Sequence, residues 1–214
     1  QRRCLRLRQQ QLDPTSPDIT ASMQALAQIH FARDEFFEAS QLHQQALQRI
    51  LANRQSAPMH RAAALNAVGQ CLHRLGLDAD AHRQLRRARV LFSIHLGERH
   101  PDTASVWLNL AELHLQKRPA YALALARKAH TVFKDRLGAG HPQTAVSEVC
   151  LARCLHASGK MQAATQMLRQ ALDVLASALS KRHPLVRGTR VLMKQWLDQA
   201  SAHSSLATAP PAWA

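Results

Sequence analysis

The sequence repeats itself about every 42 residues, and this periodicity constrains the fold more than any other feature. Copies that begin at Pro17, Met59, Pro101, Pro142 and Pro184 are spaced by 42, 42, 41 and 42 residues. Small residues recur in these copies at three fixed offsets: Ala27, Gly69, Ala111 and Ala152; Ala39, Ala81, Ala122 and Ala164; Ala46, Ala88, Ala129 and Ala171. Periods of roughly 20–50 residues are typical of stacked supersecondary units. The chain is therefore predicted to be an array of repeats.

Each copy has the pattern of two helices. Its apolar residues follow helical spacing in two segments, and Gly76 and Gly159 stand at the break between them. A His-Pro step closes three copies, and proline suits the first turn of the following helix. Aromatic residues make up only 4 % of the chain, which also favours helix over sheet. We predict an all-α fold of antiparallel helix hairpins, in which small residues let the helices approach closely.

The pattern "HPDTA…LNLAEL…A…A…LG…HP" resembles the 42-residue tetratricopeptide repeats of the kinesin light chain and nephrocystin-3 type, over roughly residues 1–198. The resemblance implies a right-handed superhelical solenoid. It also implies the following division: 1–16, the second half of a preceding repeat; 17–58, 59–100, 101–141 and 142–183, four repeats; 184–200, a capping helix; 201–214, a disordered tail. Pro119 stands where the second helix of the third repeat should begin, which indicates an altered turn there.

Composition points to an anionic partner but selects none. Lysine and arginine total 28 against 14 acidic residues, a formal charge of +14. Four cysteines are too few for a disulfide-stapled fold, so we expect reduced thiols and a cytoplasmic protein. The longest apolar runs fall short of a membrane span, and "QRRCLRLRQQQ" lacks the apolar centre of a signal peptide.

The resemblance implies that a partner peptide binds in the concave groove, which is lined by the first helices of the hairpins. Counting from the small residue at each helix crossing predicts the following groove residues: Gln24, Gln28, Phe31, Asn66, Gln70, His73, Arg74, Asn109, Glu112, Gln116, Arg153 and His156. Asn109 falls where peptide-binding members of the superfamily often place an asparagine against the ligand backbone. An amide both donates and accepts, which matches a peptide unit.

An acidic peptide is the natural candidate for this groove. Arg74 and Arg153, with His73 and His156 nearby, would make one end of it cationic, and a guanidinium pairs bidentately with a carboxylate. The rest of the basic excess lies on second helices, in two clusters: Arg83, Arg86, Arg87 and Arg89; Arg127, Lys128, Lys134 and Arg136. We interpret these clusters as solvated helix surface rather than a lipid- or RNA-docking strip, because aromatic stacking platforms are scarce.

No residue pattern indicates catalysis or a bound cofactor. Cys150 and Cys154 are spaced like two zinc ligands, but no second pair completes a site, and Cys154 fits a core position. The histidines of the His-Pro steps recur with the repeat, as do His30 and His114, which indicates architecture. We therefore expect no metal, no cofactor and no enzymatic activity.

Three functions remain open at this point. The first is a peptide-binding adaptor or scaffold. The second is an accessory module of a larger enzyme, because "HPLVRGTRVLMKQWL" loosely resembles the helical end of SET/MYND-type lysine methyltransferases. The third is a purely architectural or self-associating array, since an open solenoid end can stack on another copy.

Overall fold

The computed structural model describes residues 1–14, 16–53 and 55–207, with side chains through Gln199 and that of Ser201. Ten helices run through the described residues: α1 (Arg2–Gln11), α2 (Pro17–Ala32), α3 (Phe36–Ala52), α4 (Pro58–Arg74), α5 (Asp78–Leu96), α6 (Pro101–His114), α7 (Pro119–Leu137), α8 (Pro142–Ala157), α9 (Met161–Ala178) and α10 (Pro184–Ala207). Helices α2 and α3, α4 and α5, and α8 and α9 form packed pairs. The prediction of an all-α fold built from helix hairpins is confirmed.

The chain divides into two units, Gln1–Lys117 and Arg118–Ala214. The boundary falls inside the third predicted repeat, so α6 belongs to the first unit and α7 to the second. In the first unit each helix from α1 to α6 packs against the next one along the chain. The same holds in the second unit from α7 to α10.

The small residues that define the repeat all lie inside the protein. Eleven of the twelve are alanines with no exposed surface, and Gly69 is also buried. A helix crossing occupied by alanine or glycine lets the partner helix approach closely. The periodic small positions are therefore the packing sites of the hairpins, as the sequence predicts.

The recurring His-Pro step forms a helix N-cap. His100 Nδ1 accepts a hydrogen bond from the Asp102 backbone N–H at 3.1 Å. His141 does the same for Gln143 at 3.1 Å, and His183 for Leu185 at 3.2 Å. These bonds satisfy an N–H that has no intrahelical acceptor, and the following proline occupies the first helical position.

A threonine in the same motif ties the new helix to the preceding turn. Thr103 Oγ1 donates to the carbonyl of Gly97 at 2.8 Å, and Thr144 Oγ1 donates to that of Gly138 at 2.7 Å. Both glycines end a helix with a φ above +80°, which a side chain would disfavour. The "LG…HP.T" pattern is therefore a single closed turn between the end of one helix and the start of the next.

Separate apolar clusters hold the two ends of the described chain. In the first unit, Leu5 of α1 packs with Ile19, Met23 and Leu26 of α2 and with Ala46. In the second unit, Val186 of α10 packs with Ala145, Ala171 and Leu175. Within the described residues, none of the helices combines the length and hydropathy that a bilayer crossing requires.

Two helix boundaries differ from the sequence prediction. Helix α4 begins at Pro58, one residue before the predicted repeat start at Met59, because that proline takes the first-turn position. Helix α10 continues to Ala207, whereas the capping helix was predicted to stop at residue 200 and a disordered tail to begin at 201. Residues 208–214 of that predicted tail lie outside the described residues.

Gly69 offers a test of the close helix packing. A Cβ at this position would lie 2.7 Å from Leu85 Cγ, and Leu85 has no exposed surface into which it could move. Overpacking of this kind destabilises a protein by about 1–3 kcal/mol, whereas the higher helix propensity of alanine over glycine stabilises it by at most about 1 kcal/mol. We expect Gly69→Ala to lower the free energy of unfolding, measured by urea denaturation, by about 1–2 kcal/mol.

The matched control is the other glycine inside a helix. Around Gly188 in α10, an added Cβ meets no described atom within 4 Å, so Gly188→Ala should raise the unfolding free energy by about 0.5–1 kcal/mol. Changes of the same sign at both positions would contradict the close-packing explanation.

Candidate functional site

Three amide side chains form a hydrogen-bonded chain between α4 and α6. Asn109 Nδ2 donates to Asn66 Oδ1 at 2.7 Å, and Gln70 Nε2 donates to Asn109 Oδ1 at 2.9 Å. All three side chains are half-buried, and all three were predicted to face a peptide. A primary amide carries two N–H donors and an oxygen with two lone pairs. The two bonds therefore use half of the hydrogen-bonding capacity of Asn109.

Arg74 lies one turn beyond Gln70 on α4, against two phenylalanines. Its Cζ is 4.0 Å from the ring centroid of Phe36 and 5.7 Å from that of Phe31. The two rings meet edge to face, with centroids 5.2 Å apart. Cation–π contacts of this kind are worth about 0.5–1 kcal/mol at an exposed site, so the rings hold the guanidinium in place. The structure thus brings Phe31 and Arg74 together.

Asp34 balances the charge of Arg74. Its Oδ1 lies 3.2 Å from Arg74 Nη2, and the two side chains are 77 % and 46 % exposed. Among the described residues other than glycine, Asp34 alone has a positive φ, of 62°. In the alignment of the repeats it stands where Gly76 and Gly159 occupy the turn between paired helices. Aspartate tolerates this left-handed backbone better than most residues do.

His73 contacts Asp78, the first residue of α5. Its Nδ1 lies 3.1 Å from Asp78 Oδ1, and Lys117 Nζ donates to Asp78 Oδ2 at 3.0 Å. The hydrogen bonds from His73 and then from Lys117 hold the pKa of Asp78 below its ordinary value. This carboxylate therefore offsets part of the positive charge that the sequence suggested for this end of α4.

The two predicted site residues of the second unit lie on α8. The His156 ring stacks on Trp196 of α10, with centroids 4.3 Å apart and planes inclined by 15°. His156 Nε2 is buried and has no hydrogen-bond partner among the described atoms. Arg153 is half-buried. The last helix thus occupies one face of the His156 ring.

The remaining predicted groove residues are more dispersed. Gln28 and Gln116 are exposed, and Glu112 is half-buried. Gln24 lines a separate cavity of about 290 Å³, bounded also by parts of α3 and α4. Gln24, Gln28 and Gln116 are not among the residues of the amide chain or of the Arg74 contacts described above.

Three of the four cysteines occupy buried packing positions. Cys71 and Cys154 have no exposed surface, and Cys150 is 4 % exposed. Burial raises the pKa of the Cys71 thiol to about 11, although Arg74 acts in the opposite direction. Among the described residues, no three or more histidine, cysteine, aspartate or glutamate side chains are placed together to hold a metal ion.

Sequence reasoning missed the partners of the predicted cations. Asp34 was identifiable as a turn residue by its alignment with Gly76 and Gly159, but its pairing with Arg74 spans 40 positions. Phe36 begins α3 and carries no repeat signal. Trp196 falls inside the predicted capping helix, and no repeat signal indicates its contact with His156.

Comparison with known proteins identifies the repeat. Family models described as tetratricopeptide repeat match residues 102–177 and 19–51, which together make up about half of the chain. The comparison with curated protein sequences gives no significant match.

Solved structures share the fold over nearly the whole length. BtubC (BKLC) from P. vanneervenii has a TM-score of 0.64 at 17 % identity, with 98 % of this chain and 89 % of that chain covered. A putative kinesin light chain from Podosopora anserina, whose TPR-like repeats are nearly identical to one another, has a TM-score of 0.60 at 21 % identity. The match covers 91 % of this chain and 99 % of that chain. A point variant of those Podosopora anserina repeats gives a TM-score of 0.59 at 22 % identity, with 85 % and 92 % covered.

At these identities the likeness concerns the fold. Tetratricopeptide repeats imply a protein–protein interaction scaffold rather than a particular partner. The matched repeats, together with the buried periodic alanines and the helix hairpins, show that the chain belongs to the tetratricopeptide repeat family, with a fold of the kinesin light chain type.

Proposed function

We propose that this chain is a non-catalytic scaffold that binds an extended partner peptide along the first helices of its hairpins. The observation that carries the proposal is the amide chain of Asn66, Asn109 and Gln70. A peptide backbone presents N–H and C=O groups in alternation, and these amides can pair with both. Their mutual hydrogen bonds fix the side chains beforehand, which reduces the entropy lost on binding.

Arg74 gives this surface a preference for acidic peptides. Exposed ion pairs such as Arg74–Asp34 contribute only about 0–1 kcal/mol, so a ligand carboxylate can replace Asp34. Phe31 and Phe36 keep the guanidinium in position during that exchange. Carboxylate–guanidinium pairing is strong when bidentate.

The net charge of the chain supports the same preference. A formal charge of +14 attracts anionic partners over distances of about a Debye length and speeds their arrival. No disulfide joins the four cysteines in the described part of the chain, which suits a reducing, cytoplasmic setting. Selectivity then comes from the few contacts at the amide chain and at Arg74 rather than from total charge.

Peptide-array binding with matched acidic and neutral peptides tests this function. We expect the array to enrich acidic peptides, and Asn109→Ala to weaken the best binder about tenfold, which corresponds to one lost hydrogen bond of about 1.4 kcal/mol. Arg74→Glu should remove the preference for acidic peptides while leaving helicity unchanged by circular dichroism. The affinity is measured by fluorescence anisotropy.

Gln45→Ala on α3 is the control, because this amide is exposed and lies on a second helix. It should leave the affinity unchanged. Peptides that bind Asn109→Ala, Arg74→Glu and the parent protein equally well would refute the proposed surface.

A further inference from the structure

A second cavity, of about 710 Å³, opens between α3, α4 and α5 in the first unit. Its volume falls within the range of roughly 300–1,000 Å³ that is usual for ligand sites. The wall is formed by Leu51 of α3, by Arg61 and Leu65 of α4, and by one face of α5 between Ala79 and Leu91. None of the lining residues belongs to the amide chain or to the contacts of Arg74. The cavity is therefore distinct from the surface proposed above.

Four arginines surround this cavity, Arg61 from α4 and Arg83, Arg86 and Arg87 from α5, and the lining residues include no aspartate or glutamate. Arg83 pairs with Asp80 at 2.9 Å, and Arg87 Nη1 donates to Gln84 Oε1 at 3.4 Å. The lining thus carries more positive charge than its neighbouring carboxylate offsets.

Arg61 is the most informative of the four. Its Nε atom is buried and has no hydrogen-bond partner within the part of the chain that the structure describes. Leaving a buried donor unpaired is costly, and nearly all such groups have a partner. Because Nε itself is closed to solvent, a carboxylate in the cavity would pair with the terminal nitrogens of this guanidinium, as a charge-assisted hydrogen bond.

The rest of the lining is largely apolar. Leu51 and Val90 are 45 % and 46 % exposed, and Leu65 and Leu91 also line the cavity. Ile94, one turn beyond Val90 on α5, is 70 % exposed and extends the apolar stripe. Large aliphatic side chains left in water beside a cationic rim indicate an interaction site.

From these features we infer that the cavity binds an acidic, amphipathic peptide segment of a partner protein, with leucine-like side chains against Leu51 and Val90 and carboxylates against the arginines. The α5 lining runs from Ala79 to Leu91, about 18 Å along the helix. A segment with several carboxylates matches charges distributed over that length. A single small anion would contact one end and leave the apolar wall exposed.

The lining also distinguishes this occupant from nucleic acid. Single-stranded RNA binders supply phenylalanine, tyrosine or tryptophan rings on which bases stack. Among the residues lining the cavity, His82 has the only ring, and it already meets the ring of His114 edge to face at 5.3 Å. The aliphatic wall favours peptide side chains instead.

Selection from a displayed random-peptide library tests the inference. Parallel selections are made on the parent chain and on an Arg86→Glu/Arg87→Glu variant, and binding is then measured by fluorescence anisotropy. We expect the parent to enrich peptides that combine Asp or Glu with Leu or Ile. These peptides should bind the double variant at least tenfold more weakly. Arg61→Met, which removes this guanidinium without reversing its charge, should weaken them in the same direction.

Arg89→Glu is the control for position, since it reverses one positive charge on α5 outside the cavity lining, where the double variant reverses two within it. It should retain nearly full affinity, and so should Asn109→Ala, which affects only the other proposed surface. Absence of acidic enrichment, or equal binding to Arg89→Glu and to the double variant, would overturn the inference. So would binding of phosphatidylserine vesicles or single-stranded RNA, instead of peptides, that is lost in the double variant.

Discussion

Replacing Trp196 with alanine is expected to lower the free energy of unfolding by about 3–5 kcal/mol, the usual cost of truncating a buried tryptophan. Trp196 is 5 % exposed and stacks on His156, which joins α10 to α8. Removing the indole opens a cavity between the last helix and the preceding hairpin. In a repeat array such a loss frays the end first, so the urea transition should also become less steep.

Leu197→Ala is the matched control for this prediction. The neighbouring side chain on α10 is 46 % exposed, and its truncation should cost less than about 1 kcal/mol. Trp196→Phe should fall between the two, because it keeps an aromatic face against His156. If Trp196→Ala costs no more than Leu197→Ala, α10 does not stabilise the hairpin in the way described here.

The repeat architecture was predictable from the sequence because its determinants are local. An alanine that recurs at a fixed offset indicates a close helix crossing even when the partner helix is not known. Pro101 and Pro142 each indicate a helix start, because proline restricts its own backbone. The role of the preceding histidine was only partly predictable. His100 and His141 recur with the repeat, but that they cap the helix through Nδ1 follows from side-chain geometry.

The candidate site was less predictable because its partners come from different repeats. Counting from the helix crossing placed Asn66, Gln70 and Asn109 on the same surface, and the structure joins them. Offsets within one repeat do not reveal that Asp34 reaches Arg74. Such pairs depend on side-chain rotamers and on the stacking of adjacent hairpins, which a pattern of residue types does not encode.

The arginines of α5 show the same limit more clearly. As a charge run, Arg83, Arg86 and Arg87 fit solvated helix surface, the interpretation that the sequence favours. The structure adds Arg61 from α4 and Leu51 from the end of α3, which turn a stripe on one helix into a cavity lined by four arginines. Convergence of three helices on one space is a tertiary property, so sequence alone gives the charge but not the cavity.

Acidification is expected to destabilise the chain through His43. This histidine lies on α3, is 5 % exposed and has a buried Nδ1 without a hydrogen-bond partner among the described atoms. Burial lowers its pKa from 6.5 to about 4. Between these values the unfolded chain binds the proton and the folded chain does not, so stability is fully present above about pH 6.5 and falls as the pH decreases toward 4. The loss between pH 7 and pH 5 should be about 2 kcal/mol.

Comparison with His43→Leu isolates this contribution, because leucine fills a similar volume and does not titrate. Urea denaturation at pH 7 and pH 5 should show a smaller acid loss for the variant than for the parent, by about 2 kcal/mol. The pKa of His130 is also lowered, first by burial and then by the charge of Lys134. His130 contributes equally to the acid loss of the parent and of the variant, so its effect cancels in the difference. An exposed histidine on α5 provides the control, and His95→Gln should keep the acid loss of the parent. An acid loss in His43→Leu as large as in the parent would show that this ring is protonated in the folded protein at pH 5.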